Sequence, residues 1–420
     1  MKKVFIKFKN RFTLVLYFFS LSISAQDTLR LMTYNLLNYT STDANATRYL
    51  DLRKIVTHFK PDLMICSEMV DGSGAQLMLD SAFNVNGVNY YSRAVFSNGP
   101  DTDNMLYYNN QKVKLKSQNQ IPTDLRDITR YRVYHVISVG DTAYLNLFSA
   151  HLKAGSLASD AASRLSEVTD FCNYVSILPQ TENLIIGGDF NLYNNTESAW
   201  TYITGSSCSH VFYDPINAGG SWNSNSLFAG IHTQSTRSST NPGCCGGATG
   251  GLDDRFDFFL ANGRVMTGGS KIRYISGSYK AGGNDGNHLN KSIIEAPVNS
   301  SVPANVNTAL FNMSDHLPVL MDLEVGTTVG VQEYAMGNFS FRYCTDIFGN
   351  SNWCIFAPQS NKAVLSFYDL GGKLIGNKNI FLQEGVTILP ADDLGFSPGV
   401  YIAKLELKNQ TLGSTLFTIR

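Results

Sequence analysis

No run of about 20 apolar residues occurs in the 420-residue chain, so no membrane-spanning helix is expected. Charged residues are scarce at 16%, yet hydrophobic residues reach 43%, a balance that excludes both a disordered chain and a heptad-built fibre. A net charge of −1 excludes a polycation held on nucleic acid by electrostatics alone. Cysteines number seven, an odd count, and their spacing fits no zinc pattern. Methionine is sparse at 10, whereas 21 Tyr, 25 Phe and 35 Gly point to a globular protein rich in β-structure. At about 100–200 residues per domain, the length predicts two or three domains.

The N-terminus carries what the rest lacks, a cluster of one charge sign. Lys2, Lys3, Lys7, Lys9 and Arg11 precede the short apolar run Thr13–Phe19, and Ser24-Ala25 follows. That order describes a secretory signal peptide over residues 1–25, too short in its apolar part to span a bilayer. Its removal takes five basic residues and no acid, leaving 28 basic against 34 acidic residues, about −6. A secreted or cell-surface location is therefore expected, where disulfides are permitted. Cys66 in Leu63-Met64-Ile65-Cys66, and Cys172 on the helical face Ala161, Leu165, Val168, Cys172 and Val175, read as small core hydrophobes. Bridges from Cys344 to Cys354, and from Cys208 into Cys244-Cys245, are the expected pairings.

Along the chain, Thr28–Tyr34 alternates as a strand, and Leu52, Ile55, Val56 and Phe59 fall at helical spacing until Pro61. Leu63–Cys66 opens a second strand, and hairpin-like strands follow at 104–108, 112–116, 131–139 and 142–150. A helix over 157–175 leads to the buried strand Leu184-Ile185-Ile186. Between Asn217 and Gly251 the only charged residue is Arg237, which reads as a long surface loop. Strands resume at 255–260, 271–276 and 317–325. Two sheets packed face to face with helices outside would bury this pattern. After Gly330 the character changes: Ala363–Lys373 reads as strand, Gly-Gly turn and strand, and Tyr401, Ala403, Leu405 and Leu407 share one strand face. This is a small all-β module of roughly 85 residues without histidine, and no chemistry is assigned to it.

Six short segments place acids, amides and histidines at the ends of apolar strands: Tyr34-Asn35, Ser67-Glu68, Ala150-His151, Gly188-Asp189-Phe190-Asn191, Arg255-Phe256-Asp257 and Ser314-Asp315-His316. Singly, each has a structural reading, as a turn, a cap or a satisfied polar residue. Together they suit metal-assisted attack on a phosphate ester. Asn35, Glu68 and Asp315 offer hard oxygen ligands for Mg²⁺, Mn²⁺ or Ca²⁺. His316 paired with Asp257 fits a general base, and His151 and Asn191 fit donors to phosphate oxygens.

In this order the segments resemble the endonuclease/exonuclease/phosphatase superfamily, whose members include pancreatic deoxyribonuclease, bacterial sphingomyelinases and inositol polyphosphate phosphatases. The resemblance implies a four-layered α/β sandwich (DNase I-like) over residues 26–326, followed by a small all-β C-terminal domain over 327–420. It implies Glu68 with Asn35 and Asp315 at a metal, His316 oriented by Asp257, and His151, Asp189 and Asn191 around the scissile phosphate. Asp189 has a second role open to it, on the attacking water. Arg126, in Leu125-Arg126-Asp127, resembles a residue that contacts phosphate. The C-terminal module, through Phe367–Lys373, Leu394 and Pro398–Ile402, is similar to the sorting tails of type IX secretion cargo, which implies secretion machinery as a partner.

The expected function is a secreted, divalent-metal-dependent phosphodiesterase, a nuclease acting on DNA or RNA. A sphingomyelinase-like enzyme would need an exposed aromatic hairpin at the membrane, and Tyr90-Tyr91 and Tyr107-Tyr108 lie in strand-like contexts instead. An inositol phosphate phosphatase would need a concentrated basic pocket, and a catalytically inactive surface-binding protein would not need all six chemically capable segments.

Overall fold

The structure is a computed structural model that describes residues 27–42, 46–240, 245–326, 340–345, 351–357, 360–383, 385–391, 395–407 and 410–419. The expected leader segment 1–25, Cys244, Leu394 and the side chains of Cys344 and Cys354 lie outside this description, and with them the expected Cys344 to Cys354 bridge. In chain order the strands preceding residue 326 are β1 (Asp27–Tyr39), β2 (Leu63–Met69), β3 (Tyr91–Arg93), β4 (Asp103–Asn109), β5 (Lys114–Ile121), β6 (Ile128–Ser138), β7 (Asp141–His151), β8 (Leu184–Asp189), β9 (Phe212–Tyr213), β10 (Asp257–Asn262), β11 (Ile272–Tyr274), β12 (Lys280–Ala281) and β13 (Val319–Val325). The α-helices are α1 (Tyr49–Phe59), α2 (Gly72–Met78), α3 (Ala158–Ser176), α4 (Ser198–Thr204), α5 (Gly263–Thr267) and α6 (Ala304–Met313).

The strands form two sheets, ordered β11-β13-β1-β2-β4-β3, with β12 beside β13, and β5-β6-β7-β8-β10-β9. Alternation within β1 and β2 decides the layers. Leu29, Leu31, Leu63 and Ile65 point between the sheets, while Met32, Tyr34, Met64 and Cys66 point outward. The outward set packs on Leu52, Ile55 and Phe59 of α1 and Val306 and Leu310 of α6. The second sheet covers its outer face with Phe171 and Val175 of α3 and Ala199 and Ile203 of α4. Helix, sheet, sheet and helix make the four-layered α/β sandwich expected from the sequence.

Each sheet contains one parallel pair, β1 with β2 and β7 with β8, and all other pairings are antiparallel. Parallel neighbours need a crossover, supplied here by α1 and α3. The carboxyl ends of both pairs therefore emerge at the same end of the sandwich, where open α/β sheets bind ligands.

Two expectations are corrected. Cys172 and Cys208 form a disulfide, Cα to Cα 5.2 Å, tying α3 to the chain before β9. Cys172 is thus both a core position and half of a bridge, and Cys208 does not pair into Cys244-Cys245; among the described residues only Cys66 is free. The segment 217–251 is also a surface loop only in part, because Trp222, His232, Thr233, Ser235, Thr236 and Arg237 are all buried while Asn223, Ser224 and residues 238–240 are exposed. Its polar side chains satisfy backbone groups, as when the Trp222 indole donates to the Ala218 carbonyl and Thr236 Oγ1 donates to that of Ser314. Near absence of charge is what lets such a segment pack inward.

The C-terminal region is a separate all-β unit of small sheets: β14 (Ser340–Thr345), β15 (Ser351–Ala357) and β18 (Gly385–Pro390) form one, and β16 (Asn361–Asp369), β17 (Leu374–Leu382), β19 (Gly399–Leu407) and β20 (Gln410–Ile419) the other. Trp353 is buried between them as a core residue against Phe341 and Phe417.

The 36-residue separation of Cys172 and Cys208 gives a loop-closure contribution of about 3–4 kcal/mol. The double variant Cys172→Ala/Cys208→Ala should melt at clearly lower temperature than the parent in a thermal scan without reductant, and coincident melts would contradict the bridge.

Candidate active site

The site forms where the inward-facing rows of both sheets turn from apolar to polar. On β1 the row Leu29, Leu31 and Thr33 continues to Asn35; on β7, Leu145, Leu147 and Ser149 continue to His151; on β8, Ile185 and Gly187 continue to Asp189. Register aligns them, since His151 pairs with Asp189 across β7 and β8, and Asp257 opens β10 directly opposite Asp189. His316 arrives three residues before β13, which runs beside β1.

Local backbone irregularity aims the remaining groups. The register of β1 and β2 breaks after Asn35, and that of β2 and β4 after Cys66. Leu37, Asn38, Glu68 and Asn191 adopt positive φ of 49°, 48°, 59° and 52°. For Leu37 and Glu68 this costs on the order of 1–3 kcal/mol each, the kind of strain that folded proteins keep at functional sites. Gly188 is required here: φ is +145° and an added Cβ would lie 1.8 Å from the Ala150 carbonyl oxygen, between the strands that carry His151 and Asp189.

The side chains form one connected set. Asn35 Nδ2 donates to Glu68 Oε1 at 2.9 Å and to Asp189 Oδ2 at 3.1 Å, while its Oδ1 accepts from Leu37 N. Asn38 N donates to Glu68 Oε2 at 2.8 Å. His151 Nε2 lies 3.4 Å from Asp189 Oδ2 and 3.9 Å from Glu68 Oε1. His316 Nδ1 is 2.6 Å from Asp257 Oδ2, and its Nε2 is 3.8 Å from Asp189 Oδ2. Asn191 N donates to Asp189 Oδ1, and Asn191 Nδ2 to the Leu152 carbonyl beside His151.

Burial sets the protonation states. It pushes Asp189 up to about 7, with Asp257 and Glu68 adding to the effect and His316 and Asn35 opposing it. Burial also raises Glu68, against the hydrogen bond from Asn35. His151 falls well below the ordinary imidazole range through burial and the nearby charges of Arg126 and His316, so it is neutral. Burial opposes a charge on His316, but Asp257, Asp315 and Asp189 outweigh it and hold the imidazolium.

Of the nine residues singled out from the sequence, Asn35, Glu68, His151, Asp189, Asn191, Asp257 and His316 converge in this set. Asp315 sits beside it, its Oδ2 accepting from Ala248 N at 2.6 Å and Gln234 Nε2 at 3.3 Å, while its buried Oδ1 has no hydrogen-bond partner among the described residues. Arg126 lies next to His151, its Nε 2.9 Å from Asp101 Oδ2 and its Nη1 3.4 Å from the Leu152 carbonyl. Three contributors were not found from the sequence. Gln234 stands 2.6 Å from His316 Nε2, Thr233 Oγ1 accepts from Asp257 N, and the buried Glu167 of α3 accepts from Lys153 N, two residues past His151. The first two lie in the segment read as a surface loop, and nothing in the pattern of α3 marks Glu167 apart from its place on a mostly apolar face.

The donor set suits a hard divalent cation. Among the described residues, Glu68, His151 and Asp189 place one ligand atom each within 4.8 Å of one another, as do Asp189, Asp257 and His316. His316, held as an imidazolium by Asp257, has no lone pair to offer an ion. The Glu68 group is the open one, since the Glu68 side chain keeps 14% exposure. Asn35 turns its amide nitrogen to the two carboxylates, so it bridges them as a donor in this arrangement, and Asp315 belongs to neither group.

A model of the endonuclease/exonuclease/phosphatase family matches residues 32–316. No curated protein matches the chain. Among solved structures, an endonuclease/exonuclease/phosphatase from Bacteroides vulgatus is 15% identical, covering 71% of this chain and all of its own, with a TM-score of 0.47. D. rerio TDP2 complexed with a single-strand DNA product is 13% identical, covering 70% and 98%, with a TM-score of 0.43. A Bacteroides thetaiotaomicron mannosyl-6-phosphatase is 13% identical, covering 70% and 99%, with a TM-score of 0.44.

A raised carboxyl pKa makes the folded state bind more protons than the unfolded one between the ordinary value near 4 and the folded value near 7, so stability falls as pH rises through that window. Metal-free protein should therefore melt at lower temperature at pH 8 than at pH 5. Asp189→Asn, which removes the charge, should raise the pH 8 melting temperature and change the pH 5 value little; an equal change at both would show that Asp189 is not the buried charge.

Proposed function

Because the chain belongs to the endonuclease/exonuclease/phosphatase family, a phosphoesterase class, we propose that it is a divalent-metal-dependent phosphodiesterase that cleaves nucleic acid. The observation that carries this reading is the convergence of Asn35 and Glu68 from one sheet, and His151, Asp189 and Asp257 from the other, on the end of the sandwich where His316 enters. His316, kept protonated by Asp257, donates to a phosphate oxygen instead of acting as the base expected from its pairing alone. Asp189, poised near neutrality and within reach of both histidines, accepts the proton of the attacking water. Neutral His151 and Asn191 donate to the remaining phosphate oxygens as charge grows in the transition state. A Mg²⁺ or Mn²⁺ ion held by Glu68, with Asp189 and His151 beside it, would supply charge neutralisation at a phosphate oxygen and at the leaving oxygen. Arg126, on the rim beside His151, would meet a neighbouring phosphate of the chain.

Two features support a nucleic-acid substrate, one against a membrane lipid and one against an inositol phosphate. Tyr107 is fully buried and Tyr91 donates its hydroxyl to the Pro61 carbonyl, so neither tyrosine pair forms a membrane wedge. Near His151 stand Arg126, paired with Asp101, and Lys153, whose ammonium pairs with Asp160, a sparse set of cations that suits a single backbone phosphate better than a polyphosphorylated ring. Export fits the same reading: residues 1–25 would act as the leader, 26–326 as the catalytic domain, and the all-β region from 327 as the sorting domain recognised by secretion machinery.

The chain from residue 26 onward should nick supercoiled plasmid or degrade RNA with Mg²⁺ or Mn²⁺ and stop with excess chelator. Glu68→Ala and His151→Ala should each slow cleavage by about 10²-fold or more while remaining folded. A folded parent that leaves both nucleic acids intact, or a folded His151→Ala protein that cuts at the parent's rate, would overturn the assignment.

A further inference from the structure

Two buried arginines far apart in sequence, Arg48 and Arg237, converge on the last carbonyls of α6, the helix that delivers Ser314-Asp315-His316. Arg48, ahead of α1, is 3% exposed; its Nη1 donates to the carbonyls of Met313 at 2.5 Å and Leu36 at 2.7 Å, and its Nη2 to that of Leu37 at 2.7 Å. Arg237 is fully buried; its Nε and Nη2 donate to the Phe311 carbonyl at 3.1 and 3.0 Å, Nη2 also reaches that of Asn312 at 3.3 Å, and Nη1 donates to that of Gly246 at 2.8 Å. A helix end leaves its final carbonyls without internal partners, and neither Lys nor Arg stands in the last turn of α6 to serve them. Arg48 and Arg237 take that place, and each uses its remaining donors on a second site segment. For Arg48 that segment is the strained turn just after Asn35. For Arg237 it is the loop whose Gln234 and Ala248 hold Asp315.

We infer that Arg48 and Arg237 are positioning residues that fix the Asp315-His316 segment against Asn35 on one side and Gln234 on the other. The inference rests on the phosphoesterase reading of the site. Neither arginine touches the reacting groups; each acts through the backbone of α6 and needs the planar fork, which an ammonium cannot reproduce. Misplacing a catalytic group by about 1 Å costs on the order of 10²-fold in rate, so the effect belongs in kcat.

The test uses the full chain with Arg48→Lys and Arg237→Lys, which keep the buried charge and lose the fork. Hydrogen–deuterium exchange at residues 311–317 should accelerate by about tenfold or more while β1 and β8 stay protected. On the substrate that the parent cleaves, kcat should fall about 10- to 100-fold with KM within about twofold. Unchanged exchange and kcat in folded variants would overturn the inference. So would exchange that rises throughout the molecule, or loss of the fold, because the arginines would then carry global stability. If the parent hydrolyses no phosphate ester, the phosphodiesterase reading fails, and the exchange pattern alone still decides the clamp.

Discussion

Glu68, Asp189 and Asp257 crowd the end of a two-sheet sandwich, and the desolvation of Glu68 and Asp189 there is the constraint around which the rest of this molecule is arranged. Desolvation raises Asp189 to about 7 and raises Glu68, so both carboxylates resist ionising in the free protein. The neighbouring donors answer that charge in a graded way. Asn35 gives a hydrogen bond to each of Glu68 and Asp189, backbone amides of Asn38 and Asn191 serve one oxygen each, and His316 carries a compensating positive charge. What remains uncompensated faces the opening beside Glu68, and that remainder is what a divalent cation would neutralise.

The fold makes this concentration of charge possible because its apolar mass is placed elsewhere. Two parallel strand pairs, one per sheet, deliver their carboxyl ends to the same edge, and the inward rows that carry Leu31 and Leu147 deeper in the sandwich carry Asn35 and His151 at its rim. Gly188 lets β8 pass close to Ala150, so that Asp189 and His151 come level. The positive-φ residues Leu37, Asn38, Glu68 and Asn191 cluster at that rim, where the strands break register. Strain there is held by a packed interior, as with the rings of Phe190, which follows β8, and Phe258 of β10, stacked at 4.1 Å.

Much of this was legible in the sequence, and the boundary of legibility has physical causes. Alternation in Thr28–Tyr34 and the helical spacing of Leu52, Ile55, Val56 and Phe59 read correctly because burial on one face imposes a period. The polar residues of the site were visible because each interrupts an apolar strand at its end. Gln234 and Thr233 were invisible because a stretch with a single charge, rich in Gly, Ser and Thr, has the composition of a solvated loop whether or not it packs. Arg48 and Arg237 were equally hidden, since a buried guanidinium that serves carbonyls leaves no local pattern. Cys172 shows a further ambiguity: a cysteine on an apolar helical face satisfies the periodicity of a core residue and of a disulfide half alike.

The central claim is that the carboxylate cluster around Glu68 is built to hold a divalent cation, and calorimetric titration of metal-free protein with Mn²⁺ near pH 7.5 tests it most directly. The account predicts saturable binding accompanied by proton release, because Asp189 is partly protonated in the free site, and loss of that binding in Glu68→Gln. Binding that Glu68→Gln leaves unchanged, or no binding at all by the folded parent, would contradict it.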